Sequence, residues 1–214
     1  MAAIDKLVAG FRAFRVKYFE QRPALFEGLA GGQRPEVLVI ACSDSRVDPA
    51  ILLNAEPGEL FVVRNVAALV PPYQPDEHYH GTSAALEFAV RDLEVGHVVV
   101  LGHSSCGGMT ALSRSLSGDP PPREFIGAWV AITETAAPDC AHHGDAGGGS
   151  RRLEEAAVRT SIANLRTFPW VADAEAAGRL RLHGWWFDLD GGALFAMDRT
   201  GTFTPLVSAE TVSG

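Results

Sequence analysis

The amino-acid sequence predicts an α/β fold: a mainly parallel central sheet with an antiparallel edge strand, flanked by helices and preceded by an N-terminal helical arm. Three observations predict it. Short apolar runs rich in β-branched residues recur at 37–41, 60–63 and 97–101, the pattern of strands buried on both faces of a parallel sheet. Helical stretches separate them, and alternating β and α elements imply right-handed crossovers. Two late strand-like runs are joined by Asp190-Gly191-Gly192, which reads as a hairpin extending the sheet antiparallel at an edge.

Residues 4–29 place Ile4, Leu7, Val8, Phe11, Phe14, Val16, Phe19 and Leu25 among charged residues, as in one or two amphipathic helices. Pro23 divides this stretch and Gly31-Gly32 ends it. The run 37–41 follows a turn at Pro35, so Cys42 falls at a strand's carboxyl end. Helices are expected at 49–54 and 82–93, between strands that end at Arg64-Asn65 and at Gly102-His103. The pattern then becomes helical at 110–117 and 125–136 and breaks in a Pro-, Gly- and His-containing loop at 138–149. Residues 152–168 carry Leu153, Ala157, Ser161 and Leu165 at four-residue spacing on one helix face. The hairpin, 180–189 and 193–197, completes the sheet.

A chain of 214 residues, 47% of them hydrophobic, suffices for one well-packed domain over 1–214, with 1–30 as the arm. The formal charge of −8 argues against a surface for nucleic-acid phosphates or anionic lipid, which need clustered Lys and Arg. A small neutral or anionic substrate fits better. No apolar stretch approaches the roughly 20 residues of a membrane span, and residues 1–10 lack the basic start and apolar core of a secretory signal. Cytoplasmic residence is the default expectation. Three Cys cannot all pair internally, which weighs against a disulfide framework.

The chemistry concentrates in two segments. Cys42-Ser-Asp44-Ser-Arg46 supplies a sulfur and a carboxylate; His103-Ser-Ser-Cys106-Gly107-Gly108 supplies an imidazole and a second sulfur. Together they form a ligand set for one Zn²⁺ per chain, bound by Cys42, His103 and Cys106, with Asp44 as fourth ligand in a closed state. A closed site is structural. Arg46, two residues beyond Asp44, can pair with that carboxylate and hold it off the metal, which leaves the fourth position to water. Zinc makes hydroxide available there near neutrality. Asp44 would accept that hydroxide's hydrogen and orient it, while the Gly107 N–H binds an oxygen of the product. The competing readings are a purely structural zinc and a Cys nucleophile with His103 as base. Strand ends some sixty residues apart and the competing Arg46 favour the catalytic metal.

These residues also carry a resemblance to the β-class carbonic anhydrases. It extends through residues 56–67, Val70-Pro-Pro-Tyr73, residues 81–87, residues 164–169 and Leu182-His-Gly-Trp185, covering about 33–195. The resemblance implies reversible hydration of CO₂ to bicarbonate and a proton by attack of zinc-bound hydroxide, with Asp44 and Arg46 as the dyad. It places Gln33, Phe61 and Val66 at the substrate pocket, with Phe88 where plant-like relatives carry Tyr. In the family Gln33 and Phe61 reach the site from a neighbouring subunit, so the resemblance implies a homodimer or dimer of dimers, with the arm at the interface. Some bacterial members bind inhibitory bicarbonate through a Trp at the position of Val39, together with Arg64; Val39 implies that this second site is missing. Relatives with the same zinc set attack carbon disulfide or carbonyl sulfide, and those substrates are the nearest alternative.

Several residues attract attention without joining the site. His78 and His80 are candidates for proton relay or for an exposed loop. Cys140-Ala-His-His143 lacks a fourth metal partner. Arg151-Arg152 is cancelled by Glu154-Glu155 and reads as a solvated helix start, and the adjacent Trp185 and Trp186 should point to opposite faces of a strand.

Overall fold

A computed structural model describes residues 2–136 and 148–208, and its contacts divide the chain into two units, Met1–Arg34 and Pro35–Gly214. The first unit is helical: α1 (Ala3–Arg15) runs into a π-helical turn (Val16–Glu20), and α2 (Pro23–Leu29) follows. Pro23 opens α2 at the first helical position, where its missing N–H is no loss. The Phe14 ring packs on Tyr18 and Phe26 at centroid distances of 4.8 and 5.6 Å. Ile4, Leu7 and Phe11 remain 67%, 67% and 63% exposed, an apolar stripe of the kind that marks an interaction surface.

The second unit contains β1 (Val37–Cys42), α3 (Pro49–Leu52), β2 (Leu60–Asn65) and α4 (Gly81–Glu87), which continues as a π-helical turn, Phe88–Asp92. Next come β3 (His97–His103), α5 (Gly107–Leu116) and α6 (Ile126–Val130), the last extended by a 3₁₀ turn, Ala131–Ala136. After α7 (Gly148–Leu165) and α8 (Pro169–Ala176) come β4 (Arg181–Asp188), β5 (Ala193–Met197) and β6 (Phe203–Val207).

The sheet order is β2-β1-β3-β4-β5-β6. The first four strands are parallel, and β5 and β6 add antiparallel pairings. The expected single edge strand is therefore a two-strand extension. β6 was not expected because Pro205 interrupts its pattern; at a sheet edge that missing donor costs no ladder bond. The short helix α8, opened by Pro169, was likewise not expected. No helix among the described residues is long and apolar enough to cross a membrane.

Alternation along the strands sends Leu38, Ile40, Val98 and Val100 into the main core, with Leu86 of α4, Val158, Ile162 and Leu165 of α7, and Val171 of α8. Val39, Ala41, Val99 and Leu101 occupy the opposite face with Leu52 and Trp185. Trp186 lies on the α7 side, so the two adjacent indoles do point to opposite faces. Close approach of α7 depends on two strand glycines. A Cβ on Gly102 would stand 2.6 Å from Val158 Cγ2, and one on Gly184 would stand 3.0 Å from Val158 Cγ1. Gly102→Ala should therefore lower the stability of the metal-free protein by about 1–3 kcal/mol through overpacking, measured by urea unfolding. A second change, Val158→Ala, should recover part of that loss, because the obstructing atom is a side-chain methyl.

Candidate metal centre

Cys42 is the last residue of β1 and His103 the last of β3. These two strands are adjacent and parallel, with Ala41 opposite Leu101, so both side chains emerge at one rim. Because β2 lies on one side of β1 and β3 on the other, the chain reverses its direction of winding between β1 and β3. Open α/β sheets form their ligand crevice at that point. After β3 the chain turns through Ser104 and Ser105 to Cys106, which stands immediately before α5.

The sulfurs of Cys42 and Cys106 and a ring nitrogen of His103 lie within 4.8 Å of one another, all in buried residues. The His103 Nδ1–H donates to the Ser104 carbonyl at 2.8 Å. This bond sets the tautomer and leaves a lone pair on Nε2. Nε2 is buried and has no hydrogen-bond partner, the condition expected of a nitrogen shaped for a metal. The hydrogen bond from Cys106 pulls the Cys42 thiol well below its ordinary range; burial opposes this, and the neighbouring His103 ring and the amides of Asp44 and Ala67 assist it. The same pairing, together with burial, raises Cys106. Two sulfurs this close keep one proton between them unless a cation takes its place, which is how thiolate metal sites release protons on loading. Donor types, burial and the orphaned nitrogen all fit Zn²⁺.

Backbone strain surrounds the ligands. Ser105 has φ +56° and Ala67 φ +66°, left-handed conformations that non-glycine residues adopt only when their surroundings hold them. The Ala67 N–H donates to Cys42 Sγ at 3.4 Å. Ser104 is anchored to the β4–β5 hairpin: its N–H donates to the Phe187 carbonyl at 2.9 Å, and its Oγ accepts from the Leu189 N–H at 2.8 Å.

Asp44 is not among the clustered donors. Its Oδ1 accepts from Arg46 Nε at 2.9 Å and from the Arg46 backbone N–H at 3.0 Å, and its Oδ2 accepts from Arg46 Nη2 at 2.7 Å. This paired geometry, chiefly the guanidinium hydrogen bonds, holds the Asp44 carboxyl well below the usual carboxylate range. Arg46 Nη2 also donates to the Ser105 carbonyl at 3.2 Å, linking the two ligand segments. Beneath them Arg64 donates to the carbonyls of Cys42 and Asp44, at 2.9 and 2.6 Å, and to Asp48 Oδ2 at 2.8 Å. Each of its three guanidinium nitrogens thus has a protein acceptor, while Val39 is fully buried inside the sheet.

An open cleft of about 260 Å³ borders the centre, lined by Cys42, Asp44, Val66, Gly107, Gly108 and Ile126. Val66 and Gly107 are both part of its lining. Phe61 and Phe88 pack on each other, with centroids 5.9 Å apart, and neither lines this cleft. One chain does not bring these two rings to the metal ligands. Gln33 is exposed in the N-terminal unit. His78 and His80 border a different hollow with Tyr73, Arg91 and Trp170, where His80 Nε2 contacts Asp76 at 2.7 Å. Residues 140–143 lie outside the described residues.

Sequence reasoning missed Ile126 as a cleft residue, Arg64 as a clamp and Glu154 as a buried acid. Glu154 was read as part of a solvated helix start, yet it is only 3% exposed. A signal was available: Glu154 stands four residues before Val158, on the inward side of α7. Arg151 is also more than solvated, since its guanidinium lies 4.4 Å from the ring centroids of Trp186 and of Phe195.

Comparison with known proteins agrees with this geometry. The carbonic anhydrase family profile matches residues 37–194. A carbonic anhydrase of Pseudomonas aeruginosa is 42% identical over 194 residues, covering 90% of this chain and 86% of that protein. Among solved structures, the β-carbonic anhydrase CcaA superposes with a TM-score of 0.85 at 33% identity, covering 97% of this chain and 94% of the other. A tetrameric β-carbonic anhydrase of Sordaria macrospora gives 0.78 at 29% identity, with 96% and 98% covered. With its metal-ligating residues at the rim where such a sheet places them, the chain belongs to the β-class carbonic anhydrase family.

Proposed function

We propose that this chain carries out the reversible hydration of CO₂ at the Cys42–His103–Cys106 centre, with Asp44 and Arg46 as its catalytic dyad. The observation that carries this reading is the double hydrogen bond between Arg46 and Asp44, which keeps the carboxylate from serving as a fourth ligand. Zinc held by Cys42, His103 and Cys106 would supply Lewis acidity, lowering the pKa of water at the centre towards about 7.

Asp44 orients the attacking oxygen. Because Arg46 depresses its pKa, Asp44 is ionised throughout the neutral and alkaline range; its ionised form is lost only as pH falls through that lowered value. It therefore accepts a hydrogen bond without taking up the proton, and turns an oxygen lone pair towards the cleft. Val66 and Ile126 give the cleft an apolar wall suited to a small uncharged molecule. Gly107 opens α5, where its N–H has no intrahelical acceptor, and a side chain there would meet nothing within 4 Å. That N–H binds the oxygen on which charge develops as carbon is attacked. Bicarbonate leaves and the displaced proton passes to solvent.

We further propose that Gln33, Phe61 and Phe88 complete the pocket in a homodimer or dimer of dimers, with Gln33 and Phe61 supplied by the neighbouring copy. The exposed stripe of Ile4, Leu7 and Phe11 supports this assembly, as does the tetrameric description of the Sordaria relatives. Two unpaired cysteine ligands suit a reducing, cytoplasmic compartment.

The decisive assay is stopped-flow CO₂ hydration on protein of measured zinc content. Turnover with one zinc per chain is expected; full zinc with no turnover between pH 6.5 and 9 would sink the reading. Arg46→Ala should keep its zinc by mass spectrometry and lose about 10²-fold or more in kcat/KM. An unchanged rate would mean that Asp44 needs no partner. Sedimentation of the intact chain should show an even-numbered assembly, and Phe11→Asp should shift it towards monomer with reduced turnover. A monomer as active as the parent would remove the shared-pocket proposal.

A further inference from the structure

Glu154 lies within α7, buried, beside a ligand of the metal centre. Three groups point at its carboxylate. The Cys106 backbone N–H approaches Oε1 at 3.3 Å, the Ser150 hydroxyl approaches the same oxygen at 2.9 Å, and the Trp186 indole N–H approaches Oε2 at 3.2 Å. Both oxygens therefore act as acceptors. The neighbouring Arg151 donates to Glu155 at 2.8 Å, so the inward acid and its outward neighbour have different partners.

The bond to Cys106 bears directly on the centre. Cys106 follows Ser105 in its left-handed conformation and precedes the first residue of α5. Its N–H is buried, with Glu154 Oε1 as its acceptor. Without an acceptor, a buried amide favours any local rotation that regains one. Such a rotation about the Ser105–Cys106 link would swing the sulfur away from Cys42 and His103. The acceptor comes from a long helix packed against β3 and β4, which places it on a rigid support.

We propose that Glu154 is a positioning residue for zinc, acting through the Cys106 backbone N–H to hold the Cys106 sulfur at the distance the metal requires. This deepens the zinc-enzyme reading and rests on it. Partners behind a metal ligand commonly contribute about 10- to 100-fold in metal affinity, and a loss of that size is expected here.

The test measures zinc affinity by competition with a chelating dye, alongside melting of the metal-free protein, for the full chain and three variants. Glu154→Ala should bind zinc about 10- to 100-fold more weakly than the parent. Trp186→Phe removes the indole donor but keeps the Glu154 contact to Cys106; it should lower the melting temperature and leave zinc affinity within about threefold. Should Glu154→Ala not fold, Glu154→Asp draws the carboxylate back by one methylene, and the same weakening is expected of it. Zinc affinity within threefold of the parent in the folded Glu154 variant would overturn the proposal, as would equal weakening by Trp186→Phe. A parent chain that binds no zinc would overturn the metal reading as well, which separates the two failures.

Discussion

The site depends first on the parallel pairing of β1 with β3. That register sets Cys42 one residue behind His103 at a shared rim, although the two are separated by a strand, two helices and their loops. A slip of one residue would turn the whole apolar set of β1, including Leu38 and Ile40, from one face of the sheet to the other. The register that buries the core is thus the register that assembles the metal ligands.

Around that pairing, polar contacts restrict what the ligand segments can do. Arg64 fixes the Cys42–Asp44 backbone from below, Arg46 fixes the Asp44 carboxylate and reaches Ser105, and Ser104 joins the β4–β5 hairpin. These contacts offset the unfavourable conformations of Ala67 and Ser105. The result is a centre whose donors hold their places through neighbours on β2, on β4 and in the adjoining turns, a form of preorganisation that spares the reaction any rearrangement of charge.

Much of this was legible in the sequence. Strands and helices of strong period announced themselves, and the ligands were readable because Cys and His at strand ends are unusual residue types in unusual places. Features that depend on tertiary burial were not. Glu154 looks solvated beside Arg151, Arg152 and Glu155; its four-residue spacing to Val158 is a hint of the inward side, and the packing of α7 is what buries it. Pro205 concealed β6 because edge position, which makes proline tolerable, is a property of the sheet and not of the segment. Phe61 and Phe88 illustrate the opposite case: both rings are placed within one chain, packed on each other, yet neither lines the cleft beside the metal ligands.

The attachment of Ser104 to Phe187 and Leu189 has a consequence for how the protein matures. During synthesis all three zinc ligands have been made by residue 106, but the β4 partner of β3 begins at Arg181. Contacts of such long sequence separation close late, since the intervening loop must first be brought together. A nascent chain therefore carries its thiols for some time before the scaffold that orders them exists. Ordering of the metal ligands belongs to the end of folding, and in the interval those sulfurs are open to oxidation or to the wrong cation.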